Sequence, residues 1–213
     1  MSSEFWPNRK PKYQYMHGWL GYGNKEELIR ILDDSSINII CELGTWYGKS
    51  AEFMMNYNSE KLLICVDLWS NNDIKEGNQV IKYNDKYGSI LDKYPLYQTF
   101  LGNLWKHKER IIPLKMDTKK ALRKIKNMGI EPDAIYIDAN HTYKDVKAEI
   151  DLSLKLFPNV VLLGDDINWS GVKKAVLECA NKYGYEVIKN RNCWRYMKKI
   201  PNSVFKNKNI KMI

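Results

Sequence analysis

No apolar run in the sequence approaches the roughly 20 residues that a membrane helix needs. The first residues, MSSEFWPNRKPK, hold no apolar signal core, so secretion is not expected. Cysteine is scarce: Cys41, Cys65, Cys179 and Cys193 form no Cys-x-x-Cys pair and no zinc spacing. That excludes a disulfide scaffold, and a reducing, cytoplasmic setting is expected. Acids are fewer than bases, 25 against 34, leaving a net charge of +9. Such a surplus attracts polyanions. Here it is spread along the chain except for Lys198 to Lys211, and Lys, Asn and Ile are all abundant, as A+T-rich coding produces. Nucleic acid is therefore the lesser reading. No internal repeat is present.

What remains is ordinary for a soluble domain: 213 residues, 44% hydrophobic and 28% charged. The expected division is an aromatic arm and helix over 1–36, one domain over 37–200 and a basic tail over 201–213. The arm carries Phe5, Trp6, Tyr13, Tyr15, Trp19 and Tyr22. That composition packs on a domain, as a lid over substrate, an edge cover or a contact between copies. Asn24 is the expected N-cap of a helix that aligns Leu28, Ile29 and Leu32.

The chain is organised around Ile37 to Ser50, INIICELGTWYGKS. A short β-branched run closed by glycine reads as a buried strand, and Lys49 to Tyr57 as a helix. Gly44 and Gly48 bracket the turn between them, where a Cβ would obstruct a ligand. The helix N-terminus then offers free N–H groups to an anionic group. Trp46 breaks the dinucleotide fingerprint, and Gly44 is one residue too close to Gly48-Lys49-Ser50 for a P-loop.

Further strands are expected at 61–67, 111–116, 134–138 and 160–164, with a closing hairpin of 186–189 and 194–197 around Asn190-Arg191-Asn192. Helices are expected over 119–127, capped by Thr118, from Thr142 or Tyr143 to Pro158, and beyond a Ser170 cap. The long stretch from Leu68 to Glu109 reads as a polar loop or lid followed by an amphipathic helix over Tyr94 to His107. The fold class is α/β: a doubly wound, mostly parallel seven-stranded sheet with helices on both faces. Ligands of such sheets lie beyond the carboxyl ends of the strands.

Three of those ends carry acids. Asp67, 19 residues past Gly48, suits a ribose-binding acid or a loop acid. Asp138, Asp165 and Asp166 would repel one another unless a cation lay between them, and all-oxygen ligation suits Mg²⁺, with Mn²⁺ or Ca²⁺ as alternatives. Helix capping is the competing role. His141 lies in the Asp138 loop, as a general base or a structural histidine. Trp46, Tyr47 and Trp169 border the crevice, as a flat wall for a substrate or as packing.

The segments CELGTWYGKSA, VDLW, PLKMDT, IYIDANHTYKDVKAEIDLSLKLF, LLGDD and GVKKAV, over about residues 37 to 180, resemble the class I S-adenosylmethionine-dependent methyltransferases. The similarity is greater to their metal-dependent branch, typified by macrocin and mycinamicin sugar O-methyltransferases and cephalosporin-hydroxylase-like proteins. The resemblance implies a Rossmann-like fold and S-adenosylmethionine as cofactor. It places Glu42, Gly44 and Gly48, with Ser50 and Asp138, around its methionine part, Asp67 at the ribose, and Met116 and Asp117 beside the adenine. It makes Asp138, Asp165 and Asp166 the metal ligands. The family's Asp-Gly-Asp-His segment reads Asp-Ala-Asn-His here. Asn140 thus replaces an acid that is the base in some relatives, and His141 becomes the expected base. The usual double glycine before the fifth strand is Pro158-Asn159, a change confined to a turn.

The implied activity is methyl transfer to a sugar hydroxyl, free, nucleotide-linked or glycan-borne. A catechol or small phenol, RNA ribose, or a non-catalytic cofactor-binding role are the alternatives, and homo-oligomerisation is left open.

Overall fold

The computed structural model describes residues 3–70, 74–76, 79–81 and 90–199. Its strands are β1 (Ile39–Leu43), β2 (Leu62–Asp67), β3 (Ile74–Glu76), β4 (Gln79–Ile81), β5 (Ile111–Lys115), β6 (Ala134–Ile137), β7 (Val161–Gly164), β8 (Tyr185–Asn190) and β9 (Cys193–Lys198). Seven of them form one sheet in the order β5-β2-β1-β6-β7-β9-β8, and β3 with β4 forms a separate ribbon. The first five strands of the large sheet are parallel, and β9 and β8 close it antiparallel. From β1 the chain winds outward through β2 to β5, then returns to the other side of β1 for β6. This reversal opens a crevice at the carboxyl ends of β1 and β6.

The helices are α1 (Tyr22–Asp33), α2 (Lys49–Tyr57), α3 (Leu96–Asn103), α4 (Thr118–Asn127), α5 (Tyr143–Leu156) and α6 (Ser170–Tyr183). Side chains alternate across a strand, so β1 serves two cores. Cys41 and Leu43 join Leu122 of α4, Ile150 of α5 and Val176 of α6 on one face. Ile40 joins Leu28 of α1, Met54 of α2 and Phe100 of α3 on the other. The expected helices on both faces are present, and all four cysteines are free and buried. Among the described residues no helix is long and apolar enough to cross a membrane.

The aromatic arm packs on the domain. The Trp6 indole donates to the Ile111 carbonyl at 2.8 Å, and Tyr15 stacks on Tyr94 at 4.5 Å. The amphipathic stretch at Tyr94 to His107 is α3 followed by a 3-10 turn, Trp105–Arg110. The polar lid expected after Leu68 lies in large part outside the described residues, as does the basic tail over 201–213.

Three expected caps are displaced by one or more residues. Asn24 lies inside the first turn of α1, whose N-cap is Gly21. Asp117, not Thr118, caps α4 and accepts from the Lys119 and Lys120 amides. Ser170 is the first residue of α6, with Trp169 at the cap. For Asn24 and Thr118 a competing contact, described below, claims the side chain. Thr142 caps α5 as expected, accepting from the Asp145 amide.

Arg110 closes the far end of α2. Its guanidinium donates to the carbonyls of Met55 at 2.9 Å and Asn58 at 3.0 Å, groups a helix end leaves unpaired. Arg110→Ala is expected to lower stability by about 2 kcal/mol, read from the urea midpoint.

Candidate active site

A cavity of about 1020 Å³ opens at the carboxyl ends of the parallel strands. Its floor is the turn after β1. Gly44 has φ of 91°, and a Cβ there would lie 2.0 Å from the Asp138 carbonyl oxygen. Gly48 has φ of 89° and caps α2, and a Cβ there would meet Leu104 at 2.9 Å. These two glycines let the β1 turn lie against the β6 turn and start α2 beneath the cavity.

Under this floor Glu42 is fully buried and accepts from the Ser50 hydroxyl, and Ser50 itself lines the cavity. Burial pushes the Glu42 carboxyl up to about 7, against the Ser50 and Thr45 hydroxyls. Asp67 also lines the cavity, but its carboxylate holds the loops together. Oδ2 accepts from the Thr45 and Trp46 amides at 3.0 and 2.8 Å, and Oδ1 from the Trp69 amide at 2.7 Å. Trp46 and Trp69 have φ of 53° and 39°, strained for large side chains, and Asp67 clamps both.

The acids at β6 and β7 converge. One ligand atom each from Asp138, His141 and Asp166 lie within 4.8 Å of one another. His141 Nε2 meets Asp166 Oδ2 at 2.7 Å, and the ring stacks on Trp169 at 4.8 Å. Asn192, in the β8–β9 turn, donates to Asp166 Oδ1 at 2.6 Å and Asp165 Oδ1 at 3.0 Å. Asp165 is turned toward the frame: its Oδ2 accepts from Asn24 at 2.5 Å and its Oδ1 from the Asp166 amide. This contact draws Asn24 into the helix instead of capping it. Asp166 has φ of 60°, a left-handed geometry enriched in Asp and Asn and often found at working sites.

The electrostatics separate these acids. Burial raises Asp138 well above its usual range, and Asp165, Glu42 and Asp166 raise it further. Burial raises Asp165 too. Asp166 is lowered: hydrogen bonds from His141 and Asn192 outweigh its burial. A half-buried carboxylate with Asp165, Glu42 and Asp166 as its charged neighbours fits a hard divalent cation, which would remove that repulsion.

The remaining expected residues divide. Trp46 and Trp169 line the cavity. Tyr47 does not: it is buried in the core and donates to the Tyr94 carbonyl at 2.7 Å. Met116 packs on the core beneath α4, while Asp117 reaches the cavity with its carboxylate on the cap of α4 and on Lys119. Asn140 forms a local turn, accepting from the Thr142 amide. Sequence reasoning allowed the arm as a lid over substrate, and Trp19 and Tyr22 line the cavity, but it missed His17 and Gly18 beside them. It also missed Glu149 of α5, whose one carboxylate oxygen takes the Thr118 hydroxyl at 2.6 Å. That bond points Thr118 away from capping.

Glu42 and Glu149 share a consequence for stability. Burial raises each from 4.5 to about 7. A carboxyl raised on folding stabilises most below pH 4.5, and that contribution is lost as pH rises through about 7. Glu149→Gln mimics the protonated form. It is expected to be more stable than the parent by on the order of 2 kcal/mol at pH 8, with the gap shrinking toward pH 5, in urea unfolding at both pH values.

The molecule is similar to several solved methyltransferases. CalS11, a TDP-rhamnose 3'-O-methyltransferase of calicheamicin biosynthesis, is 16% identical with a TM-score of 0.52, the match covering 82% of this chain and 76% of that one. An O-methyltransferase from Bacillus cereus in complex with SAH is 16% identical at 0.54, covering 86% and 84%. MycE, a mycinamycin-pathway methyltransferase solved with Mg, SAH and mycinamycin VI, is 12% identical at 0.57, covering 87% of this chain and 53% of that one. At such identities the likeness is one of fold. Comparison with curated protein sequences finds no match. Residues 41–167, more than half of the chain, match the Methyltransf_24 family, a methyltransferase domain. The chain therefore belongs to that family and is an enzyme with the class I fold of the S-adenosylmethionine-dependent O-methyltransferases.

Proposed function

We propose that the protein is a Mg²⁺-dependent O-methyltransferase that methylates a sugar hydroxyl, free, nucleotide-linked or within a glycan. The convergence of Asp138, His141 and Asp166 beside the β1 glycine turn carries this reading. The sugar is favoured by the cavity mouth, where Trp19, Tyr22 and Trp169 are 63%, 74% and 54% exposed, since such flat faces stack on pyranose rings. The setting proposed is cytoplasmic, and homo-oligomerisation through the arm is compatible with it.

S-adenosylmethionine would supply the electrophilic methyl, and the cation, with Mn²⁺ or Ca²⁺ as substitutes, would make the acceptor hydroxyl more acidic. In this reading Asp138 and Asp166 hold the cation, and Asp165 fixes their frame through Asn24 and Asn192. His141, held at Nε2 by Asp166, takes the acceptor proton at Nδ1. Ser50 and Glu42 with the α2 N-terminus hold the methionine part. The arm excludes water, and Trp169 orients the acceptor over His141.

The test is methyl transfer from labelled S-adenosylmethionine to a panel of sugars, nucleotide sugars, catechols and RNA, with and without chelator. Label on a sugar that disappears with chelator supports the proposal. Label confined to catechols or RNA, or transfer indifferent to chelation, refutes it.

A further inference from the structure

Glu149 is the acid that the site described above does not use. It projects from the second turn of α5, is 1% exposed and lines the cavity. Thr118 holds its Oε1, whereas Oε2 has no hydrogen-bond partner. An acceptor left unpaired in so dry a place is costly, and such groups persist where a ligand completes them. Thr118, Lys119, Asp117 and Asp145 also line the cavity, where α4 meets α5, and contact Glu149 or one another. Asp117, expected beside the adenine, has Oδ1 on two α4 amides and Oδ2 3.3 Å from Lys119 Nζ. Lys119 is also 3.3 Å from Asp145. These contacts leave Glu149 Oε2 as the acceptor there with no donor assigned to it.

We infer that Glu149 reads the base of the cofactor, its Oε2 accepting from the exocyclic 6-amino group of a purine. The inference rests on the methyltransferase reading, because it needs a cofactor laid from the β1 turn across Asp67 toward α4 and α5. A 6-amino purine brings an N–H donor to Oε2. A 6-oxo purine brings a second acceptor and leaves both groups unsatisfied. Sites built on a buried hydrogen bond reject the analogue that lacks the matching group more strongly than apolar pockets do. Thr118 is then a positioning residue, which fixes the carboxylate plane through Oε1.

The experiment is calorimetric titration of the whole chain at about pH 8.5, where Glu149 is ionised and can only accept, with S-adenosylhomocysteine, its 6-oxo counterpart S-inosylhomocysteine, and an N6,N6-dimethyl analogue that has no N–H to give. The protein as it stands is expected to bind the first at least about tenfold more tightly than either analogue. In Glu149→Gln the amide can turn its NH₂ toward a 6-oxo group, and the adenosyl-to-inosyl ratio is expected to fall toward one or invert. That change of preference is something a purely structural role would not produce. An equal ratio in the parent and in folded Glu149→Gln overturns the inference, as does tight binding of the dimethyl analogue by the parent, an arm that needs no variant. Failure of S-adenosylhomocysteine itself to bind would instead sink the methyltransferase reading beneath it.

Discussion

Asp138→Asn is expected to lower kcat by about a thousandfold while leaving the fold intact. In the proposed reading the loss follows from removing one anionic holder of the cation, which would lower the barrier by several kcal/mol. The intact fold follows from the electrostatics. Burial and the charges of Asp165, Glu42 and Asp166 already push the Asp138 carboxyl toward its neutral form. An amide keeps its shape and removes the repulsion, so the ion-free variant should melt no lower than the parent. Activity lost together with stability kept is the expected signature of a working residue. The two readings are kcat with saturating cofactor and the melting temperature in chelator. A variant that turns over like the parent contradicts the role.

Gly44→Ala is expected to cost stability as well as activity, disrupting the fold locally with a loss of about 4 kcal/mol or more. Two faults coincide at this residue. The backbone has φ of 91°, which alanine rarely adopts, and the new Cβ would lie 2.0 Å from the carbonyl oxygen of Asp138. Backbone cannot move aside as a flexible side chain would. Separating the two turns would also drag Asp138 away from His141 and Asp166, so activity should vanish together with stability. Urea unfolding of the purified variant checks this, and a midpoint within error of the parent would show that the β1 and β6 turns are not so closely joined.

Much of this arrangement was legible because it is written in short stretches. A β-branched run ending in glycine makes β1 and its turn, and acids directly after strands fix Asp67, Asp138, Asp165 and Asp166 at one edge of the sheet. What failed to show was decided by distant partners. Thr118 has the chemistry of an N-cap, but Glu149, 31 residues on, takes its hydroxyl and Asp117 caps instead. Asn24 looks like a cap until Asp165, 141 residues away, is brought beside it. Trp46 and Tyr47 are indistinguishable as neighbouring aromatics; the left-handed backbone at Trp46 leaves it on the cavity and sends Tyr47 into the core. One signal was available and unused. Glu149 falls three residues after Val146 on the buried stripe of α5, where an acid is out of place unless something asks for it.

The most direct test is a titration with Mn²⁺, followed by electron paramagnetic resonance in the presence of S-adenosylhomocysteine. The account predicts one immobilised ion per chain in the parent, none in Asp138→Asn, and an ion retained without turnover in His141→Ala. No immobilised ion in the parent, or the same ion in Asp138→Asn, would contradict it.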